Sequence, residues 1–331
     1  MSDLFDVLVE RAKTKKNKIL VFPEGEDERI VNAALKIARE GTAKIILMGD
    51  NEYLNNLKEK NVTVINPEKG TIESEDFAQK LYEMRKHKGL TMEEARRIIK
   101  QGIYYACMML KSGKADGVVA GARLHSADVM RAAFQIIKGR KDTPIVSSSF
   151  IMEVPENKRA ELGEKGFMVF SDCGVCTYPN AEELSYIALA STKTAKDILD
   201  IVPRVAFLSY STAAKTSKDE NVIKVKEAVQ KFKALAPDVL VDGEVQLDAA
   251  IRPEVAALKN PESKVKGKAN ILIFPDINAG NIGYKLASNF GSCRAIGPIL
   301  QGLNKPVNDL SRGATVEEIY LTAIITLLQA D

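Results

Sequence analysis

Strand-like runs alternate with helical patterns along most of this 331-residue chain. The first pair is KILVFP at 18–23, which is typical of a strand, and residues 28–40, whose apolar positions share one helical face. Further strands are predicted at 43–49, 61–67 and 116–122, and further helices at 74–87, 91–112 and 126–138. Because such alternation is typical of βαβ units, we predict an α/β fold with mainly parallel sheets covered on both faces.

The pattern changes near residue 144. The runs PIVSSSFIMEV and GFMVFSDCG are extended, adjacent in the chain and predicted to pair antiparallel. After them the chain returns to the strand and helix rhythm, with a helix at 180–199 and strands in RVAFLSYS, DVLVDGEVQ and ANILIFPD. A length of 331 residues favours two domains, each with its own core. The last segment is predicted as a Pro/Gly/Asn-rich loop and one amphipathic helix that packs on the first or the second domain.

Charge and hydropathy exclude several classes of protein. Lys and Arg number 47 and Asp and Glu 44, so the net charge of +3 is too small for a nucleic-acid-binding field, although small anions remain possible ligands. No apolar stretch reaches the ~18 residues of a membrane span, and the charged N-terminus does not resemble a signal peptide. Four cysteines are too few for a disulfide scaffold, so we expect a cytoplasmic protein.

Several common motifs are missing. The chain has neither the GxGxxG dinucleotide fingerprint nor the GxxxxGK[ST] P-loop. Its two histidines, His87 and His125, do not form HExxH, and CGVC at 173–176 lacks the second cysteine pair of a structural zinc site. We therefore expect no metal, and we interpret these cysteines as buried or loop residues.

Four strands are followed by loops of small and polar residues: PEGEDER (23–29), GARLHSAD (121–128), SYSTAAK (209–215) and PDINAGNIGYK (275–285). Open α/β sheets bind ligands at the carboxyl ends of their strands. In the last of these loops, Gly280 and Gly283 are predicted to let backbone amides approach an anion at a helix N-terminus.

The segment GLNKPVNDLSRGATVEE (302–318) places a hydroxyl, a guanidinium and a carboxylate at the start of the terminal helix, on Ser311, Arg312 and Glu318. The planar fork of arginine suits phosphate, and its charge-assisted hydrogen bonds are strong. A simpler interpretation exists for Glu318, because Thr315 and Glu318 have the T-x-x-E spacing of a capping box.

Five segments in this order resemble the phosphate acetyltransferases: MRKHKGLT (84–91), VAFLSYST (205–212), VDGEVQLDAA (241–250), IFPDINAGNIGYK (273–285) and KPVNDLSRG (305–313). That family interconverts acetyl-CoA plus phosphate with acetyl phosphate plus CoA. The resemblance implies an isocitrate/isopropylmalate-dehydrogenase-like fold of two α/β domains with an interdomain cleft, and a homodimer. It also implies that the C-terminal segment rejoins the first domain, which would comprise 1–145 and 295–331, with 146–294 as the second.

The same resemblance implies roles for individual residues. Ser311 and Arg312 occupy the catalytic serine and arginine positions, and Arg85 and Arg131 match arginines around the phosphate or acyl phosphate. Glu318 stands where the family is expected to have the aspartate base, with Asp309 as the alternative base. We further predict CoA contacts at Ser126, Gly280, Asn281 and Tyr284. The expected ligands are the substrates CoA, acetyl-CoA, phosphate and acetyl phosphate, with no tightly bound cofactor.

Other interpretations remain open. Without the resemblance, Arg85 would be a cation at a helix C-terminus and Arg131 a surface charge. The acyl group could be butyryl, since one or two methylenes change binding by only ~1 to 3 kcal/mol. An NAD-dependent decarboxylating dehydrogenase of the same fold would need metal-binding aspartates, for which Asp242, Asp248 and Asp276 are candidates. A non-catalytic CoA-binding or acyl-phosphate-sensing protein is the third alternative.

Overall fold

The computed structural model of the chain describes residues 5–330, which form two compact units. The first unit runs to Lys138 and resumes at Leu303, and the second is Gly139–Gly302. The predicted boundaries at 145 and 295 differ from these. The reason at the second boundary is that Arg294–Gln301 forms a strand paired with Ser147–Glu153, in the sheet of the second unit.

The strands of the described residues are β1 (Ile19–Phe22), β2 (Lys44–Met48), β3 (Val62–Ile65), β4 (Gly117–Ala120), β5 (Ser147–Glu153), β6 (Phe167–Ser171), β7 (Arg204–Leu208), β8 (Leu240–Val245), β9 (Ile271–Ile273), β10 (Arg294–Gln301) and β11 (Val307–Asp309). The α-helices are α1 (Asp6–Thr14), α2 (Glu28–Arg39), α3 (Glu52–Asn56), α4 (Ile72–Arg85), α5 (Met92–Ile99), α6 (Gly102–Lys111), α7 (Ser126–Ala132), α8 (Ala181–Lys193), α9 (Glu220–Leu235), α10 (Leu247–Ile251), α11 (Pro253–Lys259), α12 (Ile277–Asn289) and α13 (Val316–Gln329).

The first unit is built on a five-stranded sheet in the order β11-β4-β1-β2-β3, and every pairing in it is parallel. The terminal helix α13 packs against α1, α2, β4 and β11. Every residue from Ile319 to Leu328 is consequently buried, so the prediction of an amphipathic terminal helix is wrong. A helix covered on all sides needs apolar residues all round.

Two predicted helices of the first unit are interrupted. The helix predicted at 91–112 is two helices, α5 and α6, and α6 begins at Gly102. A Cβ there would lie 2.9 Å from the carbonyl oxygen of Pro23, so glycine lets α6 pack closely on the loop after β1. The helix predicted at 126–138 is α7 followed by a π-helical turn, Ala133–Ile137. Single π-turns are frequent at functional sites.

The second unit holds a six-stranded sheet in the order β10-β5-β6-β9-β7-β8. The four adjacent strands β6, β9, β7 and β8 are parallel to one another. Strand β5 runs antiparallel to both of its neighbours, β10 and β6. The predicted antiparallel pairing of the two runs after residue 144 is thus confirmed, as is the α/β class with mainly parallel sheets. No helix among residues 5–330 is long and apolar enough to cross a membrane.

Candidate active site

Three neighbouring strands of the first sheet, β11, β4 and β1, end at one edge because the sheet is parallel. The chain adds β2 and β3 on one side of β1 and then places β4 on its other side. Such a reversal in strand order leaves a crevice between the diverging loops, where α/β sheets bind ligands. The candidate site therefore consists of the loops after these strands, at 23–27, 121–125 and 310–315.

Ser311 and Arg312 follow β11 after a single residue, and both are exposed at this edge. The loop turns back on itself, since the Ala314 N–H donates to the Ser311 carbonyl oxygen at 2.9 Å. The Gly313 N–H donates to Ser311 Oγ at 3.4 Å. A hydroxyl and a guanidinium thus stand side by side, available to a ligand at the carboxyl end of the sheet.

Glu318 forms the capping box of α13 with Thr315. Its Oε2 accepts from the Thr315 N–H at 2.7 Å and from the Thr315 hydroxyl at 3.1 Å, while the Glu318 N–H donates to Thr315 Oγ1 at 3.2 Å. The side chain is partly exposed. The carboxylate therefore caps the helix, and the capping bonds that it accepts all use Oε2.

Asp309, the last residue of β11, is only 2% exposed. Burial raises the pKa of its carboxyl group to about 6, and the nearby charge of Glu24 adds to this effect. The Ser126 hydroxyl and the Leu310 N–H act in the opposite direction on the pKa. Oδ1 has no hydrogen-bond partner among the described residues. Asp309 is thus a buried carboxyl group beside Ser126, with one oxygen uncommitted.

Gly121 makes room for this carboxyl group. Its φ of +111° is a backbone conformation that side chains rarely adopt, and a Cβ at this position would collide with Asp309 Oδ1 and lie 2.7 Å from the Leu310 nitrogen. The loop after β4 can therefore approach the loop after β11 only with glycine here.

Glu24, two residues after β1, is 8% exposed and holds the loop after β4. Its Oε2 accepts from the N–H groups of Gly121 at 2.6 Å and Ala122 at 3.1 Å. Its Oε1 accepts from those of Arg123 at 2.6 Å and Leu124 at 2.7 Å. Four consecutive backbone donors thus share one carboxylate, which gives the loop a defined conformation.

Arg85 and Arg131 come from different helices. Arg85 ends α4, and Arg131 lies on α7, where its Nη1 pairs with Asp128 Oδ1 at 2.6 Å. Burial raises the pKa of Tyr104, and the charges of Arg131 and Arg85 both lower it, so both guanidinium groups lie near this hydroxyl. The Tyr104 hydroxyl donates to Gln135 Oε1 at 3.1 Å, within the π-helical turn that follows α7.

The glycines of α12 do not open a helix N-terminus to an anion, so that prediction is wrong. Gly280 and Gly283 lie inside the helix, whose N-terminal amides at Asn278 and Ala279 already donate to the Asp276 carboxylate. Both glycines instead allow close packing. A Cβ on Gly280 would collide with the Asp172 carbonyl oxygen, and one on Gly283 would lie 2.9 Å from the Phe274 ring.

The other two residues of α12 predicted to contact CoA make internal contacts. Asn281 Nδ2 donates to the Cys173 carbonyl oxygen at 3.1 Å. The Tyr284 ring stacks on Phe150 with centroids 4.0 Å apart, and burial raises the pKa of its hydroxyl. The contribution of Gly280, Asn281 and Tyr284 to CoA binding stays a prediction.

The aspartates required by the dehydrogenase interpretation have separate partners. Asp242 accepts from the Ser263 hydroxyl, Asp248 pairs with Lys259 at 2.7 Å, and Asp276 caps α12. In the part of the chain that the structure describes, no group of three or more His, Cys, Asp or Glu could hold a metal ion. All four cysteines are free, and burial raises the pKa of Cys173 and Cys176, so neither thiol is activated.

Comparison with known proteins identifies the family. A family model for phosphate acetyl/butaryl transferases matches residues 3–327, nearly the whole chain. The chain belongs to the phosphate acetyl/butaryl transferase family. It is 48% identical over 327 residues to a phosphate acetyltransferase of Thermoanaerobacterium thermosaccharolyticum, covering 98% of both proteins.

Solved structures agree with this membership. A phosphotransacetylase from Streptococcus pyogenes matches with a TM-score of 0.91 and 43% identity, over 99% of both chains. A more distant likeness in fold alone is to 4-hydroxythreonine-4-phosphate dehydrogenase from Klebsiella pneumoniae, with a TM-score of 0.52 and 13% identity over 95% of this chain and 100% of the other. This neighbour agrees with the prediction that the fold is similar to that of dehydrogenases.

Within this transferase, the structure gathers five of the predicted residues in and beside the loops after β4 and β11: Ser126, Asp309, Ser311, Arg312 and Glu318. Arg131 lies on the helix that starts at Ser126 and packs on β11. The charges of Arg85 and Arg131 both act on Tyr104, whose hydroxyl donates to Gln135 in the π-helical turn after α7. Gly280, Asn281 and Tyr284 belong to the second unit.

Two residues important to this arrangement are not among those that the sequence predicts. Glu24 lies in the PEGEDER loop, where an acidic residue directly after a strand is a usable signal, but its partners are 97 to 100 residues further along the chain. Tyr104 lies in an apolar run that predicts only a buried helix and gives no sign of a functional residue. Neither role can be inferred without knowing which loops meet.

Proposed function

We propose that this chain catalyses reversible transfer of an acetyl group between CoA and inorganic phosphate, acetyl-CoA plus phosphate giving acetyl phosphate plus CoA. The observation that carries the proposal is the exposed pair Ser311 and Arg312 at the carboxyl edge of a parallel sheet, beside a reversal in strand order. The family match and the names of close relatives favour phosphate as acceptor and acetyl as the acyl group.

In the direction of acetyl-CoA synthesis, the CoA thiolate attacks the carbonyl carbon of acetyl phosphate in a ternary complex. A C–S bond forms, the carbon–oxygen bond to phosphate breaks, and phosphate leaves with the electron pair. Arg312, with Arg85 and Arg131, binds the phosphate, while the Ser311 hydroxyl donates to the oxyanion of the tetrahedral intermediate. No acyl-enzyme is needed.

The CoA thiol needs a base, because a thiol with a pKa around 8.5 is mostly protonated near pH 7. We assign this role to Glu318, since its capping bonds all run to Oε2 and Oε1 can accept the proton. Asp309 is the alternative, and its pKa of about 6 suits general base catalysis near neutrality. Glu318→Gln and Asp309→Asn distinguish the two, since Gln also serves in a capping box.

Because Glu318 is the assigned base, we expect Glu318→Gln to lower kcat by a factor of ~10² to 10⁴, which is about what base catalysis contributes. Its unfolding temperature should change little. The kcat of Asp309→Asn should stay within a few-fold of the wild-type value. If Asp309 is the base, the wild-type rate falls as pH decreases through about 6, because the carboxyl group becomes protonated. Unchanged kcat in both variants would rule out both carboxyl groups.

The direct test of the activity is release of free CoA thiol when acetyl-CoA meets phosphate. Arg312→Ala should lower kcat by ~10² to 10³, because loss of one such donor costs ~2.7 to 4 kcal/mol. Arg39→Ala is the matched control, since Arg39 is an exposed arginine that pairs with Glu59 at 2.9 Å at the far end of α2. Near-normal turnover of Arg312→Ala at saturating phosphate would contradict the assignment.

The choice of acyl group is tested with the same assay. The family name covers acetyl and butaryl transferases, and a pocket discriminates one or two methylenes by only ~1 to 3 kcal/mol. We expect kcat/KM for acetyl-CoA to exceed that for butyryl-CoA by at least ~10-fold. The reverse order would assign the chain to the butyryl branch.

We also propose a homodimer that uses the outer face of α12 together with its C-cap residue Phe290. Ile282, Leu286 and Phe290 recur every four residues and are 57%, 51% and 85% exposed. Lys285 is the only charged residue in α12. A helix face this apolar and poor in charge is typical of an interface core, and a second copy of the same helix is complementary to it about a two-fold axis.

Light scattering tests the assembly. Wild-type protein should have twice the 36.3 kDa chain mass, and Leu286→Glu should shift it toward the monomer. Leu258→Glu is the control, because Leu258 is 82% exposed on a different helix, α11. A monomeric wild type, or a dimer unaffected by Leu286→Glu, would reject this interface.

We propose further that the enzyme works in the cytoplasm with CoA and acetyl-CoA as substrates and without a tightly bound cofactor, metal or nucleic acid. Four free cysteines support a reducing compartment. The near-balanced charge supports a small anionic substrate over nucleic acid. Full activity after dialysis against a chelator is expected, and a loss restored by metal would reject the metal-free mechanism.

A further inference from the structure

Arg29, in the PEGEDER loop and first turn of α2, contacts both loops of the candidate site. Its Nη1 donates to the carbonyl oxygens of Arg312 and Ala314, each at 2.9 Å. Its Nη2 donates to the carbonyl oxygen of Ala122 at 3.1 Å. One guanidinium group therefore joins the backbone of the loop after β11 to the backbone of the loop after β4.

Asp27, the N-cap of α2, fixes the orientation of this group. Arg29 Nε donates to Asp27 Oδ1 at 3.1 Å and Nη2 donates to Oδ2 at 2.8 Å. This bidentate contact is the main cause that holds the pKa of Asp27 below its ordinary value. The Arg29 N–H also donates to Asp27 Oδ1, at 2.9 Å.

These contacts use every donor that the side chain has. A guanidinium carries five N–H groups, and those of Arg29 go to two carboxylate oxygens and three carbonyl oxygens. No donor is left for a substrate phosphate. Arg29 thus differs in kind from Arg312, whose side chain is exposed on the loop that Arg29 holds.

We propose that Arg29 is a positioning residue of the transfer reaction, which sets the place of Ser311 and Arg312 by bonding the backbone on which they stand. The proposal rests on the acetyl transfer proposed above. A displacement of about 1 Å at a reacting group can lower the rate ~10²-fold. The backbone of a loop that carries two catalytic side chains must therefore be fixed in position.

Arg312 is exposed and Arg29 is itself partly exposed, so water can replace the guanidinium at the Arg312 carbonyl oxygen, whereas Ala314 is buried. Loss of Arg29 should therefore leave the fold nearly unchanged and act mainly on kcat. A residue that served folding alone would instead change the unfolding temperature and leave kcat per folded molecule unaltered.

The test compares Arg29→Gln and Arg29→Lys with Arg39→Gln, a change of an exposed arginine on the same helix. For Arg29→Gln we expect kcat to fall ~10- to 100-fold, with KM for CoA and for acetyl phosphate within about 3-fold. Arg29→Lys should stay at least ~10-fold low, because an ammonium group cannot bridge these acceptors as a planar fork does. Arg39→Gln should behave as the wild type.

A double variant measures the coupling directly. If Arg29 acts through the loop, Arg29→Gln should lower kcat much less in Arg312→Ala than in the wild type, so the combined loss is at least ~5-fold smaller than the product of the single losses. A kcat for Arg29→Gln within 3-fold of wild type, full rescue by Arg29→Lys, or fully multiplicative losses would each overturn the proposal.

Amide hydrogen exchange over residues 310–315 gives a readout that does not depend on turnover. Exchange there should be at least ~10-fold faster in Arg29→Gln than in the wild type and in Arg39→Gln. A wild type that does not form CoA from acetyl-CoA and phosphate would refute the proposed function, while the exchange result would still decide whether Arg29 holds the loop. Unchanged exchange would refute the positioning role.

Discussion

Replacing Glu24 with Gln keeps the shape of the side chain but replaces one of two acceptor oxygens with a donor. The carboxylate accepts from four N–H groups, two on each oxygen, at 2.6 to 3.1 Å. The Gln carbonyl can serve only one pair. It should serve Gly121 and Ala122, which are buried, and leave the amide nitrogen facing the N–H groups of Arg123 and Leu124, which are nearer to solvent.

The cost follows from the bonds lost. A hydrogen bond to a charged group is worth ~1.5 to 3 kcal/mol, so two of them are worth ~3 to 6 kcal/mol. Because water can reach the second pair, the lower value of ~3 kcal/mol applies. That is a large fraction of the ~5 to 15 kcal/mol that stabilises a typical folded domain, so the loop after β4 should open far more often.

Amide hydrogen exchange measures this opening. At 1.4 kcal/mol per tenfold change, ~3 kcal/mol predicts exchange about 100-fold faster over residues 121–124 in Glu24→Gln. Glu26→Gln is the control in the same loop. Glu26 is exposed and lies 3.6 Å from Arg123, so its loss should cost less than ~1 kcal/mol.

The outcome that would refute this reasoning is equal protection of residues 121–124 in Glu24→Gln, Glu26→Gln and the wild type. It would mean that the turn conformation of the loop, and not the buried carboxylate, determines its structure. A loss of protection throughout both units would instead show that Glu24 supports the global fold.

Three shorter predictions concern the same edge of the sheet. Gly121→Ala should lower the free energy of unfolding by more than ~3 kcal/mol and abolish most of the activity, because its Cβ collides with Asp309. Gly113 also has a positive φ, +74°, but lies in open space, so Gly113→Ala should cost only about 1 kcal/mol. Similar unfolding temperatures for the two variants would contradict this. The pKa of Asp309 is raised from 3.8 to about 6, so the folded state binds more protons than the unfolded state, and stability should fall by up to about 3 kcal/mol as pH rises from about 4 to about 6. Urea titrations should show that this fall is absent in Asp309→Asn, and an identical pH profile would exclude the burial effect. Thr315→Ala should cost about 1 kcal/mol in urea unfolding through loss of the N-cap, and no loss would mean that the capping box does not stabilise α13.

Local patterns were sufficient for most of the secondary structure. Helix α2 has its apolar residues on one face and an aspartate N-cap, so its position follows from periodicity and capping alone. The strands β1, β2 and β4 are apolar runs bounded by loops, as buried parallel strands are. The pair Ser311 and Arg312 was recognisable because its motif is continuous in the sequence.

Two strands near the C-terminus were not predictable in this way. Pro298 makes the run 294–301 resemble a loop, but β10 is the edge strand of its sheet and carries an irregularity between Ile296 and Ile299. Proline is tolerated at such positions. The strand β11 has three residues and exists only because it pairs with β4, almost 190 residues earlier in the chain.

By itself, the sequence determined the α/β class, most helices and strands, and the serine and arginine on which the proposed transfer depends, since each of these is encoded within a few neighbouring residues. The tertiary structure alone decided that Asp309 is buried, that Glu24 binds four amides of a distant loop, and that Arg29 uses all its donors within the protein. Burial and hydrogen-bond partners depend on which strand ends become neighbours. That order is set by packing of the whole sheet, and residues remote in the sequence meet only once it has formed.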